Sequence, residues 1–148
     1  HDGVVSAIAG AIQKACPTAT VLNDQEVLPG SGLRPDISVE DPARGRRLLI
    51  EVKTPMEAGP TTYSRKHRAV CEKYAGLTQR LKEDAPTALA TLCVGALGSW
   101  SPHNNTILRA AGLAERVIRS LQRQLALHCI HWSRNSWVEH CTGAPQAF

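Results

Sequence analysis

Apolar residues fall at Val4, Val5, Ile8, Ile12 and Ala15, three or four apart, and Pro17 closes the run, so a helix is predicted over 4–15. Residues 19–22, and with less support 26–28, are candidates for short strands ahead of the Pro29-Gly30-Ser31-Gly32 loop. Two further strands are predicted over 34–39 and 48–53, joined through Glu40-Asp41-Pro42-Ala43-Arg44-Gly45, which is turn chemistry. Val70, Tyr74, Leu77 and Leu81 make one helical stripe from 63 to about 83, with Lys66 on its upstream extension. The near-continuous apolar run 87–97 predicts a strand buried on both faces. A loop at 98–102, a helix at 104–111, an interruption at Gly112 and a second helix marked by Ala114, Val117, Ile118, Leu121 and Leu125 follow. From Trp132 onward no period stands out. Helix, strands, helix, strand, helices is the order of an α/β sandwich around a mixed sheet.

The first acid–base pattern sits on the two middle strands. Asp36 opens one, after Arg34 and Pro35, and Glu51-Val52-Lys53 ends the other. Side chains alternate along a strand, so Glu51 and Lys53 share a face while Leu48, Ile50 and Val52 point to the core. If Asp36 pairs opposite Glu51, the two carboxylates lie together, with Lys53 beside them. Two acids hold a hard divalent cation, here with the Val52 carbonyl, and an ammonium orients water and neutralises charge on a phosphate. The plainer alternative makes Glu51 and Lys53 the solvated face of an amphipathic edge strand, with Asp36 merely starting a strand after a proline.

Composition narrows the context. A chain of 148 residues is of single-domain length, and no apolar run reaches membrane-spanning length, so no membrane partner is expected. It begins His1-Asp2-Gly3 and is expected to be a C-terminal piece of a longer polypeptide. A net charge of +4 permits a polyanionic partner without requiring one. The placement of Arg44, Arg46, Arg47 and of Arg65, Lys66, Arg68 on either side of the acid pair says more than the total. Five cysteines with no CxxC pair argue against a disulfide framework and for a reducing, intracellular setting. Cys93 lies in an apolar run and reads as core. His128, Cys129, His131, His140 and Cys141 do not have structural-zinc spacing, and Trp100, Trp132 and Trp137 read as packing residues.

Taken together, Arg34-Pro35-Asp36, Glu51-Val52-Lys53 and the helix-first order resemble the PD-(D/E)xK superfamily of restriction-like nucleases. The opening His1-Asp2-x-Val4-Val5, Lys73-Tyr74 with Leu77, and Val94-Gly95-Ala96-Leu97-Gly98-Ser99-Trp100 followed by Asn105 and Leu108 sharpen this. They resemble the restriction-like endonuclease domain of site-specific non-LTR retrotransposon proteins. The resemblance covers most of the chain and fades after about Leu125. It implies a restriction-endonuclease-like core and an Mg²⁺-dependent nick in double-stranded target DNA, with Mn²⁺ able to substitute. The released 3′-hydroxyl would prime reverse transcription of the element's RNA by a polymerase domain of the same polypeptide, in the nucleus. Asp36 and Glu51 would be catalytic and, with Val52, metal-binding. In many members a basic residue on the next helix replaces the strand lysine, so Lys53 and Lys73 are both candidates here.

Arg34, Arg65, Lys66, Lys73 and Tyr74 are candidate nucleic-acid contacts, each set against a solvated or core role. Glu26 is a weaker candidate for a third metal ligand. Competing functions are a junction-resolving or repair nuclease with the same core, and a DNA-binding or docking module that keeps the core without useful turnover.

Overall fold

The fold is assembled around the strand β3 (Arg46–Lys53), which is hydrogen-bonded on both sides and covered on both faces. The structure, a computed structural model, describes residues 1–145. Ahead of β3 come α1 (Asp2–Ala15), β1 (Thr20–Asn23) and β2 (Ile37–Asp41), and after it α2 (Thr62–Asp84), β4 (Thr87–Cys93), α3 (Asn104–Ala110) and α4 (Glu115–Thr142). The sheet order is β1-β2-β3-β4, antiparallel across the first two pairs and parallel across the last. This is a mixed α/β sandwich. Only the β3–α2–β4 passage needs a helical crossover, because parallel neighbours cannot be joined by a hairpin.

Alternation sorts the two cores. Ile50 and Val52 pack with Ile37, Val39, Leu92 and Val94 against α1, α3 and α4, where Ile8, Ile12, Leu108, Ile118 and Leu125 meet them. Leu49 points the other way, onto Val70, Tyr74, Leu77 and Leu81 of α2. Each fully buried aliphatic side chain contributes about 1.5–3 kcal/mol relative to exposure. Held by two cores at once, β3 is the best-fixed strand of the molecule.

The β2–β3 connection is tight. A 3₁₀ turn (Pro42–Arg44) is closed by the Asp41 side chain accepting from Arg44 N, and Gly45 follows at φ +57°, a left-handed conformation that a Cβ disfavours. Where β4 ends, Asn104 is fully buried. Its Oδ1 accepts from Cys93 N at 3.0 Å and its Nδ2 donates to Cys93 O at 2.7 Å.

Several expectations need correction. β3 is not the solvated edge strand of the plainer alternative but an inner strand, because β4 adds on its far side. Residues 26–28 form no strand; the chain bends at Val27 and Leu28 into the turn that begins at Pro29. The strand expected over 87–97 stops at Cys93, and as the outermost strand it leaves Ala88 exposed and Leu89 and Ala90 half-buried. Val94 forms a lone bridge to Trp100, and the chain between them turns back, with Gly98 at φ +87°. Apolar composition alone does not distinguish that turn from a strand. The segment left unassigned from Trp132 onward belongs to α4 as far as Thr142, and its last three positions, 146–148, lie outside the described residues. Trp132 and Trp137 on that helix are 49% and 68% exposed, so only Trp100, half-buried and donating to Asn105 Oδ1 at 2.8 Å, is a packing residue.

Candidate functional site

The register of the middle strands ends at Ile37 opposite Ile50, and the chain bends at Asp36. Continued one step past the last pair, the same register would set Asp36 across from Glu51, the pairing expected from the sequence. A second step sets Pro35 across from Val52, and proline has no N–H to donate. Val94 N takes the Lys53 carbonyl on the β4 side, so by alternation both backbone groups of Val52 face the side that β2 has vacated. Side chains take them instead. Asp36 Oδ2 accepts from Val52 N at 2.6 Å, and His1 Nε2 lies 3.2 Å from Val52 O and 3.4 Å from Asp36 Oδ2.

Glu51 extends from the face of β3 that lies under α2, and is only 3% exposed. Its Oε1 accepts from Lys53 Nζ at 2.9 Å and Lys73 Nζ at 3.0 Å, and its Oε2 from the Tyr74 hydroxyl at 2.8 Å. Tyr74 also donates to the Arg34 carbonyl at 2.9 Å, and Lys73 Nζ stands 4.6 Å from the centre of the Tyr74 ring. The strand lysine and the helix lysine thus meet on the same carboxylate oxygen. Both are partly exposed, so their outer surfaces face solvent beside the acid.

The two carboxyls are driven in opposite directions. Burial pushes the Glu51 carboxyl up, but hydrogen bonds from Lys53, Tyr74 and Lys73 outweigh it and hold it below the ordinary glutamate range. Burial also pushes the Asp36 carboxyl up; the Val52 amide opposes, the Glu51 charge adds to the rise, and the net shift is upward. Burial and the neighbouring Glu51 carboxylate raise the Tyr74 hydroxyl as well, so it acts as a donor throughout the neutral range.

The predicted residues Asp36, Glu51, Val52, Lys53 and Lys73 therefore converge. Tyr74 does not reach the surface: it is 0% exposed, and its role is to hold Glu51 and the Arg34 backbone, not to touch a nucleic acid. Arg34 is exposed beside the site. Arg65 and Lys66 are exposed on the first turns of α2, where they line a groove with Pro55, Met56, Ala58 and Thr62; Lys66 is not part of the buried stripe. Glu26 is an exposed loop acid that accepts from Gly32 N and Ser31 Oγ, away from the acid pair. His128, Cys129, His131, His140 and Cys141 all lie on α4, with Cys129 buried against the core.

Among the described residues, no group of three or more His, Cys, Asp and Glu side chains is placed to hold a metal ion. The donors that fit a hard cation are mixed in kind: the Asp36 carboxylate, the Glu51 carboxylate next to it, and the Val52 carbonyl that no strand partner claims. Oxygen donors of this kind suit Mg²⁺, which binds through one or two carboxylates and keeps several waters. Two residues escaped the sequence reading. His1 was visible only as part of the opening motif, with nothing to link it to a strand fifty residues away. Glu57 accepts from Ser99 Oγ at 2.6 Å and from Leu97 N at 3.2 Å, which ties the β3–α2 loop to the turn after β4. A Cβ at Gly95 would overlap that carboxylate, which accounts for the glycine.

No protein-family model matches this chain, and no curated protein is significantly similar to it. Among the described residues no helix is long and apolar enough to cross a membrane.

Proposed function

We propose that this chain is a metal-dependent DNA endonuclease domain with a restriction-endonuclease-like core of the PD-(D/E)xK type. On this reading it serves a site-specific non-LTR retrotransposon protein, nicking double-stranded target DNA in the nucleus. The nick leaves a 3′-hydroxyl from which a reverse transcriptase domain of the same polypeptide copies the element's RNA. The observation that carries the proposal is Glu51, a carboxylate 3% exposed on the inner strand, shared by two lysines and a tyrosine. Burying an ion costs several kcal/mol, and a fold in need of stability alone does better with an apolar residue there. Perturbed acids with named partners cluster at functional sites.

Asp36, Glu51 and the Val52 carbonyl would hold Mg²⁺, for which Mn²⁺ substitutes. A bound ion there supplies Lewis-acid polarisation of the scissile phosphate and acidifies a water. Lys53 and Lys73, already on Glu51 Oε1, neutralise the site and face the attacking water and the phosphate with their exposed sides. Arg34, Arg65 and Lys66 contact backbone phosphates, which fix position without reading sequence. A plasmid-nicking assay with Mg²⁺ or Mn²⁺ tests the proposal: the native chain is expected to convert supercoiled to open-circular DNA, and Asp36→Ala and Glu51→Ala are expected to abolish it. Cleavage undiminished in Asp36→Ala overturns the assignment.

A second reading is a DNA-binding or docking module with little turnover. It is favoured by the engagement of both Glu51 oxygens with protein donors, which a metal must displace in part. DNA binding by the native chain, with no metal-dependent nick, selects it.

A further inference from the structure

The start of α1 presents a second kind of donor at the site. His1 Nδ1 lies 3.2 Å from Asp2 Oδ1, and its Nε2 lies 3.2 Å from Val52 O and 3.4 Å from Asp36 Oδ2. Nδ1 can donate only to the Asp2 carboxylate, and Nε2 points at two oxygens that only accept, so the bonds seen here are made by a proton on Nε2. A cation that replaces this proton meets the Nε2 lone pair and the same two oxygens as ligands, while Asp2 keeps the Nδ1 proton. The separations match an ion's coordination shell. Neighbouring ligand atoms around an octahedral ion with bonds of about 2.1 Å stand about 3.0 Å apart. A histidine whose other ring nitrogen donates to a carboxylate is also the usual form of a metal-ligating histidine, since that bond fixes tautomer and ring orientation.

We infer that His1 is a metal ligand, capping one face of the site together with Asp36 and the Val52 carbonyl, with Asp2 orienting its ring. This rests on the endonuclease reading for the role of Asp36 and Val52 and adds a nitrogen donor to an otherwise oxygen set. A nitrogen donor favours Mn²⁺ over Mg²⁺, because imidazole binds transition-metal ions better than it binds Mg²⁺. His1 is an exposed residue that is not part of either core, so its substitution leaves the fold intact.

The test is Mn²⁺ binding to the 148-residue chain, its α-amine acetylated so that the imidazole is the nitrogen under study, without DNA. Titration calorimetry gives the affinity, and pulsed EPR of bound Mn²⁺ reads directly coordinated nitrogen. The expected result is a nitrogen coupling in the native chain that His1→Ala abolishes, with Mn²⁺ binding weakened about 10-fold or more and Mg²⁺ binding weakened less. Asp2→Ala is expected to keep the coupling while weakening Mn²⁺ binding. If Mn²⁺ binds and is lost in Asp36→Ala, but carries no nitrogen coupling and is indifferent to His1→Ala, the inference is overturned while the endonuclease reading stands. If the native chain binds no Mn²⁺, both fall.

Discussion

Replacing Tyr74 by Phe removes one hydroxyl and nothing else from the α2 face. The ring keeps its place with Leu49, Val70, Leu77 and Leu81, so no cavity opens. What is lost is one donor, the hydroxyl proton shared between Glu51 Oε2 at 2.8 Å and the Arg34 carbonyl at 2.9 Å, at a residue with no solvent access. A hydrogen bond to a charged group is worth about 1.5–3 kcal/mol, and water cannot replace this one. A loss of about 2 kcal/mol is therefore expected. With a urea m-value of about 2 kcal/mol/M, this lowers the unfolding midpoint by about 1 M without changing the slope. In a Glu51→Gln background the acceptor is neutral, and the same substitution is expected to cost only about 1 kcal/mol. The assay is urea unfolding followed by far-UV circular dichroism at pH 7. A Tyr74→Phe midpoint within about 0.2 M of native, or equal losses in both backgrounds, refutes the claim that this hydroxyl holds the buried carboxylate.

Lys53→Ala is expected to lower the rate of metal-dependent nicking at saturating DNA at least about 100-fold while changing DNA affinity less than about 3-fold, since its contribution is to the transition state; equal losses in both count against that role. Asn104→Ala strips two partners from the buried Cys93 backbone and is expected to destabilise by about 2–4 kcal/mol by urea unfolding, with a loss under about 1 kcal/mol contradicting it. The Glu51 carboxyl is held below its unfolded value, so its stabilisation is full above about pH 4.3 and is lost as pH falls through the lower folded value. The native midpoint should therefore fall more steeply between pH 5 and pH 3 than that of Glu51→Gln, and parallel curves for the two would oppose this.

Periodicity made α1, α2 and the middle strands legible, because each buries one clear stripe or alternate face. That Asp36 and Glu51 come near each other was legible too, although the ladder stops one residue short of them, at Ile37 opposite Ile50. What the sequence hid was long-range. Nothing local says that β4 covers β3, and so nothing local says that Glu51 is buried instead of lining an edge. Tyr74 had two plausible fates by spacing, and only the approach of α2 to β3 decides between them. Residues 94–97 continue the apolar run of β4 but turn back toward Trp100, with the Glu57 carboxylate over Gly95 and bonded to Ser99, a long-range contact that composition does not reveal. The second half of α4 was obscured for a different reason: Leu127, Ile130, Trp132 and Trp137 sit on its exposed side, which blurs the amphipathic signal.

The side-chain amide of Asn104 is a two-point replica of a neighbouring strand, offering one acceptor and one donor to the outward edge of β4 at Cys93. An intruding strand from another molecule would have to expel a fully enclosed amide before it could zip along that flank. The C-terminal end of that flank is thereby capped against edge-to-edge association, with a single residue in place of an added strand.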